Sequence, residues 1–209
     1  MNNKHIIIGI DSGFFGGISI LDKKNKPIMY KMPIIKHKYK VKGKERIKKK
    51  YDLLKIIEIF NNHLPKNKDS ALIILERVSS MPGEGVRSSF VFGEGFGSLE
   101  GVIAALSHKL PILITPQTWK KVYPALMTDE MKEKKLQIKE KRLEKQNTKE
   151  INKLNRQIKN ESKIAARKLV CSLYPQLVDD LKLVNSDGMA ESVLIALYGR
   201  NHYELVQDI

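Results

Sequence analysis

His5-Ile6-Ile7-Ile8-Gly9-Ile10, a short apolar run rich in β-branched residues, leads directly into Asp11-Ser12-Gly13. A run of this kind, closed by turn-forming residues, predicts a β-strand. Residues 16–21 and 27–33 repeat the pattern after short links. The chain is therefore expected to open with three consecutive strands joined as antiparallel hairpins.

The pattern changes after residue 50, where apolar residues recur at helical spacing and strands become isolated. Residues 71–75 form a continuous apolar run closed by Glu76, which is typical of a central strand covered on both faces. Helices are predicted around this strand from apolar periodicity, with one further short strand at 111–115. The predicted helices are 51–63, 98–108, 162–174 and 187–198. Strands first, and then alternating helix and strand, predict an α/β layered domain.

Three segments have less regular patterns. Residues 36–50 are predicted to be a mobile basic loop, and the Gly/Ser/Phe-rich residues 81–97 a loop that enters a helix. Residues 127–160 consist almost entirely of Lys, Glu, Gln and Asn and predict one long basic helix or two, projecting from the core or lying along it. Their apolar residues fall on one narrow helical stripe. These are Leu136, Leu143, Ile151, Leu154 and Ile158.

The length of 209 residues is sufficient for one substantial core, so residues 1–209 are expected to form a single domain. The chain has 38 Lys and Arg against 23 Asp and Glu, a net charge of +15. Residues 36–50 carry +8 and residues 120–168 carry +9, so the rest of the chain is nearly neutral. Two concentrated basic segments suit a polyanionic partner. A merely solvated, lysine-rich surface is the alternative.

The sequence also argues against several classes of protein. Cys171 is the single cysteine, which excludes an intrachain disulfide and a cysteine-based zinc site. No apolar stretch approaches the roughly 20 residues of a membrane span, so no membrane partner is expected. The N-terminal residues lack the pattern of a secretion signal. We expect a cytoplasmic protein, associated with a nucleoid or with viral DNA.

Four carboxylates occupy positions that a core would not ordinarily accept. Asp11 and Glu76 each end an apolar strand, while Asp187 and Glu191 lie on one face of the last helix. Burying several like charges together is costly without a cation. Two divalent ions would remove that cost and would support phosphodiester hydrolysis. Ligands that are all oxygen favour Mg²⁺ or Mn²⁺.

Each of these acids also has a purely structural interpretation. Asp11 would shape a turn before Ser12-Gly13, and Glu76 would pair with Arg77 at the surface. Asp187 would cap a helix, and Glu191 would be a solvated helical residue. The order of the four acids along elements that share one core favours a common site.

The ordered motifs resemble those of the RuvC-type Holliday junction resolvases in the RNase H-like superfamily, in particular their phage, bacterial and chloroplast branches. The resemblance covers most of the chain outside 36–50 and 127–160. The motifs are Ile7-Ile8-Gly9-Ile10-Asp11-Ser12-Gly13, Ile73-Ile74-Leu75-Glu76, Pro82-Gly83-Glu84-Gly85-Val86-Arg87-Ser88-Ser89-Phe90, Thr115-Pro116-Gln117-Thr118-Trp119-Lys120 and Ser186-Asp187-Gly188-Met189-Ala190-Glu191-Ser192.

This resemblance implies an RNase H-like fold with a five-stranded mixed sheet between helices. It implies a homodimer that binds a four-way DNA junction and cuts it by paired symmetrical nicks, without a small-molecule cofactor. Asp11, Glu76, Asp187 and Glu191 would be the metal ligands for two Mg²⁺ ions per site, with Mn²⁺ as a substitute. Glu191 departs from the Asp or His of the bacterial enzymes and resembles the chloroplast branch.

The same resemblance marks residues for contact with DNA. Lys120 and Lys163 match positions where the family places lysines against DNA, and we count Lys163 among the catalytic residues because it would hold the scissile phosphate. Arg87, Ser88 and Ser89 would contact phosphates. Phe90, with Phe92 and Phe96 as alternatives, would stack on opened bases. Ordinary surface lysines and core phenylalanines are the alternative interpretation.

Two further features remain open at this point. Trp119 is expected to be a core or hinge residue rather than a base-stacking one. Gly93, Gly97 and Gly101 recur every four residues, which indicates close helix packing, either within the fold or at a dimer interface.

Three rival functions stay open beside the resolvase. One is a RuvC-like nuclease for flaps or forks, and another is a non-catalytic basic protein that binds nucleic acid. A third is an actin-like phosphotransferase, whose phosphate loop resembles Asp11-Ser12-Gly13. That class needs two such lobes, and the length of this chain argues against it.

Overall fold

A computed structural model of the chain describes residues 6–22, 27–77, 85–144 and 148–202, apart from the side chains of residues 87, 88 and 184. Its strands are β1 (Ile6–Asp11), β2 (Gly17–Leu21), β3 (Pro27–Lys31), β4 (Ile34–Val41), β5 (Lys44–Tyr51), β6 (Ala71–Glu76) and β7 (Ile112–Ile114). Its helices are α1 (Leu53–His63), α2 (Val86–Ser107), α3 (Pro116–Lys120), α4 (Asp129–Leu143), α5 (Thr148–Leu173), α6 (Val178–Leu181) and α7 (Asp187–Asn201).

Five strands form one mixed sheet in the order β3-β2-β1-β6-β7. The three N-terminal strands pair antiparallel, whereas β1, β6 and β7 run parallel. The expected α/β fold with a five-stranded mixed sheet flanked by helices is confirmed. Because β1 and β6 are parallel neighbours, Asp11 and Glu76 end at the same edge of the sheet.

Helices cover both faces of the sheet. On one face, Ile8 and Ile10 pack with residues of α1 and α2, including Phe60 and Leu99. On the other face, residues such as Ile7 pack with α5 and α7. This division follows from the two-residue alternation of side chains along a strand. A strand buried on both faces has the continuous apolar pattern that residues 71–75 display.

Helix α7 lies unusually close to β1 because glycines remove the side chains between them. A Cβ atom at Gly9 would collide with the backbone of Ser192 and Ala196. At the start of α7, Gly188 forms an isolated parallel bridge with Gly16, and a Cβ at Gly188 would collide with the backbone there. This close packing brings the first turn of α7 to the end of β1.

Residues 36–50, for which the sequence predicts a mobile loop, belong instead to the antiparallel hairpin of β4 and β5. Lys42 and Gly43 form its two-residue turn with positive φ angles of 47° and 75°. Turns of this type match the natural twist of a hairpin. The sequence conceals the hairpin because its strands are largely exposed and so lack apolar alternation.

Residues 86–97, predicted as part of a loop, form the first half of α2. By length and composition alone, Ser89–Ser107 would be sufficient to cross a membrane, so the expectation that no stretch approaches this length is wrong. However, Leu99 and Ile103 lie in the core beneath the sheet, and Glu94 is paired with lysines. One face of α2 is thus a core face, and the other is exposed.

Within the insertion 127–160, residues 129–143 and 148–160 are confirmed as helical, with α4 and the first half of α5 lying antiparallel. Two ion pairs, Lys134–Glu161 and Lys141–Glu150, join the helices along their length. The predicted apolar stripe is only partly correct, because Leu136 and Leu143 are exposed while Met131 and Ile138 are buried. Helix α5 runs without interruption from the insertion into the core at Ala166 and Val170.

Candidate active site

Asp11, the last residue of β1, is buried at 9% exposure. One carboxylate oxygen, Oδ1, accepts a hydrogen bond from the backbone N–H of Gly13 at 2.9 Å. Ser12 follows with its hydroxyl donating to the backbone carbonyl of Glu76 at 3.1 Å. The turn after β1 therefore orients the first acid and ties it to the strand that carries the second.

Glu76, the last residue of β6, is likewise buried, at 7% exposure. Its Oε1 accepts a hydrogen bond from the indole Nε1–H of Trp119 at 2.8 Å. Trp119 has no exposed surface and belongs to α3, whose first turn is capped by the hydroxyl of Thr115. The motif at 115–120 thus delivers a hydrogen-bond donor to the second acid.

The other two acids come from α7. Asp187 is its first residue and is buried at 5% exposure, and Glu191 follows one turn later. Each acid is paired with a lysine from another helix. Lys163 of α5 forms an ion pair with Asp187, and Lys120 Nζ of α3 lies 2.6 Å from Glu191 Oε1.

Burial, together with the charges of neighbouring acids, raises the pKa of the carboxyls that end β1 and β6. Burial, followed by the charges of Glu76 and Glu191, raises the pKa of Asp11 to about 8, although the Gly13 N–H and Lys120 partly oppose the shift. Burial and the charge of Glu191 also raise the pKa of Glu76, against the hydrogen bond from Trp119. Three acids thus share one low-dielectric environment.

Lys120 lies within the electrostatic reach of the same three acids. Burial lowers its pKa, but Glu191, Glu76 and Asp11 outweigh that effect, so the net shift is upward. Its ammonium group also lies 4.9 Å from the ring centroid of Trp119. A positive charge held among three carboxylates marks a place where the protein tolerates a cation.

The described residues contain no group of three or more His, Cys, Asp and Glu side chains positioned around one point as metal ligands. Their arrangement is two lysine-paired acids on α7 beside two hydrogen-bonded acids at the sheet edge. The assignment of all four as metal ligands stays a prediction.

The remaining predicted contact residues lie on α2. Ser89 is half-buried, and Phe90 is 72% exposed in the first turns of the helix. Arg87 and Ser88 belong to the first turn as well, but their side chains lie outside the described residues. Roles for these four residues in binding DNA stay predictions.

No known protein family matches the sequence, and no curated protein matches it significantly. Among solved structures, the chain is similar to T. thermophilus RuvC in complex with Holliday junction substrate. The identity is 12% and the TM-score is 0.46, with 96% of this chain and 96% of that chain covered.

The role of Trp119 extends beyond the core position that the sequence predicts. A buried indole N–H requires an acceptor, which was the signal available in the sequence. The identity of that acceptor could not be predicted, because Glu76 lies 43 residues away along the chain. Trp119 is a residue that positions a candidate catalytic carboxylate.

We expect Trp119→Phe to lower nicking activity by about 10–100-fold, the usual cost of losing an outer hydrogen-bond partner of a metal ligand. Phenylalanine retains an aromatic ring but cannot donate to Glu76, so the pKa of Glu76 rises further and the activity profile moves to higher pH. Tyr123→Phe is the control, because it removes a different hydrogen bond, to Leu194 O, beside the same indole. Equal pH profiles for both variants would contradict a positioning role.

Proposed function

We propose that this protein is a divalent-metal-dependent endodeoxyribonuclease that resolves four-way DNA junctions by paired symmetrical nicks. The observation that carries the proposal is the group formed by buried Asp11 and Glu76 at one edge of the sheet and half-buried Glu191 of α7 beside them. Burial and the charges of Glu76 and Glu191 raise the pKa of Asp11, and burial and the charge of Glu191 raise the pKa of Glu76. A fold does not retain such repulsion without cost. A cationic cofactor would offset that cost and give the acids a chemical role.

The residues fit a pair of Mg²⁺ or Mn²⁺ ions. All four candidate ligands, Asp11, Glu76, Asp187 and Glu191, offer carboxylate oxygens, which are the donors that these ions prefer. When bound, such ions supply an activated water and stabilise the departing oxygen of a phosphodiester. The Gly13 N–H and the Trp119 indole would keep two of the ligands oriented.

The two lysines of the site would act on the DNA. Lys120 and Lys163 stand beside Glu191 and Asp187 as ammonium donors, within the region where a scissile phosphate would lie. A charged donor strengthens as phosphate charge develops during cleavage. We therefore assign both lysines to holding the phosphate, and Arg87, Ser88, Ser89 and Phe90 to contacts with DNA near the crossover.

We further propose that two copies assemble through α2, so that two sites face the two strands to be cut. The exposed face of α2 carries an apolar stripe at helical spacing: Val86, Phe90, Gly93, Gly97, Gly101 and Ala105. A Cβ atom at each of the three glycines would meet nothing within 4 Å. An exposed apolar face of this length suits a second protein surface. We propose that this surface is the same face of α2 in a second copy of the chain.

We expect Gly97→Arg to convert a dimer into a monomer without unfolding it, since the new side chain has open space within the chain. Sedimentation velocity measures the change. Gly85→Arg is the control, because Gly85 is equally open but precedes α2 and has an ordinary negative φ. A wild-type chain that sediments as a monomer, or a Gly97→Arg variant that remains dimeric, would contradict assembly through this stripe.

The proposed function is tested with a synthetic four-way junction in Mg²⁺ or Mn²⁺. We expect paired nicks at symmetrical positions on two opposing strands. Preferential cutting of flaps or forks would mean that those structures, and not the four-way junction, are the substrates of the protein. Binding without nicking would favour a non-catalytic protein, and ATP hydrolysis without DNA would favour a phosphotransferase.

A further inference from the structure

The hairpin of β4 and β5 is the most strongly charged feature outside the candidate site. Residues 36–50 carry a net charge of +8, and most of the hairpin residues are exposed on both sides. Its base is anchored through buried Tyr51. An isolated two-stranded hairpin in water is marginally stable, so this element gains little from its own packing.

The strand register divides the hairpin into two faces. Directly opposed residues share a face, and successive residues alternate between faces. One face, here called the lysine face, contains Lys36 opposite Lys49, Lys38 opposite Ile47 and Lys40 opposite Glu45. Tyr51, opposite Ile34, lies on this same face at the base.

Both faces have ion pairs within the protein. On the lysine face, Lys38 lies 3.9 Å from Glu45, and both side chains are largely exposed, so this pair contributes little. On the other face, Lys48 and Lys50 both pair with Glu94 of α2, at 3.3 Å and 3.1 Å. Lys44 and Arg46 continue this face toward the turn. Lys36 and Lys49 on the lysine face are instead like charges in directly opposed positions, an arrangement that an anion between them would relieve.

The base of the lysine face touches the loop that follows Asp11. The Tyr51 hydroxyl donates a hydrogen bond to the backbone carbonyl of Ser12, and its ring centroid lies 5.1 Å from that of Phe14. Lys49 Nζ lies 3.7 Å from the centroid of the Phe15 ring, which is 66% exposed. The lysine face is therefore continuous with the edge of the candidate active site.

We propose that the lysine face binds the phosphate backbone of a duplex DNA arm that leaves the active site along the hairpin. This inference rests on the proposed function, since the duplex is an arm of the same branched substrate. From Tyr51 to Lys44 the strand spans about 24 Å at roughly 3.4 Å per residue. That length matches about seven base pairs of duplex, with one phosphate per strand every ~3.4 Å.

The test compares two double variants of the full chain that remove equal charge from opposite faces of the hairpin. Lys36→Gln with Lys38→Gln alters the lysine face, and Lys44→Gln with Arg46→Gln is the control. Binding of a labelled four-way junction with long arms is measured in EDTA over a range of salt concentrations. Each phosphate contact contributes about 0.9 to the slope of log affinity against log salt.

We expect the lysine-face variant to lower this slope by about 2 and the control to leave it close to the wild-type value. We also expect the affinity of the wild type for the junction to fall when the arms are shortened to fewer than about seven base pairs. The affinity of the lysine-face variant should change little when the arms are shortened in the same way. Equal slopes for the two variants, or an arm-length effect that survives in the lysine-face variant, would overturn the inference.

The two proposals fail in different ways. If wild type does not nick the junction in Mn²⁺ but the slopes differ between variants, the nuclease proposal fails and the duplex-binding face stands. If wild type nicks and the slopes are equal, the nuclease proposal stands and the lysine face has no special role. Circular dichroism and retained nicking of the control variant establish that the hairpin substitutions leave the fold intact.

Discussion

Replacing Glu76 with glutamine is expected to abolish nicking while binding of a four-way junction persists. The loss should exceed the roughly 10–100-fold effect of removing an outer partner of a metal ligand, because Glu76 is itself a candidate ligand. Glutamine keeps a carbonyl oxygen to accept the Trp119 N–H but cannot supply a negative charge to a cation. Cleavage of a labelled junction in Mn²⁺ and its binding in EDTA separate the two effects.

The same substitution should make the metal-free protein more stable to heat. Burial and the charge of Glu191 oppose ionisation of Glu76, so a neutral amide removes an unfavourable charge. Glu58→Gln is the matched control, since Glu58 is exposed and pairs with nearby Lys55. Retained cleavage by Glu76→Gln would contradict the site assignment, and a lower melting temperature would contradict the electrostatic account.

The second large effect is a loss of stability of the metal-free protein as pH rises from about 4 to about 8. The pKa of Asp11 is raised from 3.8 to about 8, so the folded state holds a proton that the unfolded chain has released. Stability falls with pH wherever the folded state binds more protons. Glu76 acts in the same direction. His63 opposes it, because burial lowers its pKa below 6.5.

Thermal unfolding in EDTA and in Mg²⁺ measures this effect. Metal ions bind the deprotonated carboxylates, so Mg²⁺ should raise the melting temperature more at high pH than at low pH. Asp11→Asn should remove most of the dependence on pH and on Mg²⁺. A wild-type protein whose melting temperature is insensitive to Mg²⁺ at both ends of this range would contradict a cation site at Asp11.

Much of the sheet was predictable because strand patterns are local. The runs ending in Asp11 and Glu76 carry their own signature of burial, and β1 and β6 form where those runs lie. The candidate acids were predictable for the same reason, since each follows or interrupts an apolar element. The motif resemblance then placed Lys120 and Lys163 near them, and the structure pairs each with an acid of α7.

Other features had no local signal. The glycines of α2 argue for a loop by propensity, yet packing of Leu99 and Ile103 against the sheet outweighs that preference. The hairpin of β4 and β5 buries too little to display alternation along its strands. The hydrogen bond from Trp119 to Glu76 depends on how two distant elements meet.

The amino-acid sequence by itself therefore determined which segments form the central sheet, which acids end its strands and where the positive charge is concentrated. These properties depend on the periodicity and composition of neighbouring residues along the chain. Only the tertiary structure decided that α7 approaches β1 at Gly9, that an indole orients Glu76 and that Tyr51 joins a basic hairpin to the loop after Asp11. Those contacts join residues far apart in the chain, and their energies arise only when the elements are packed together.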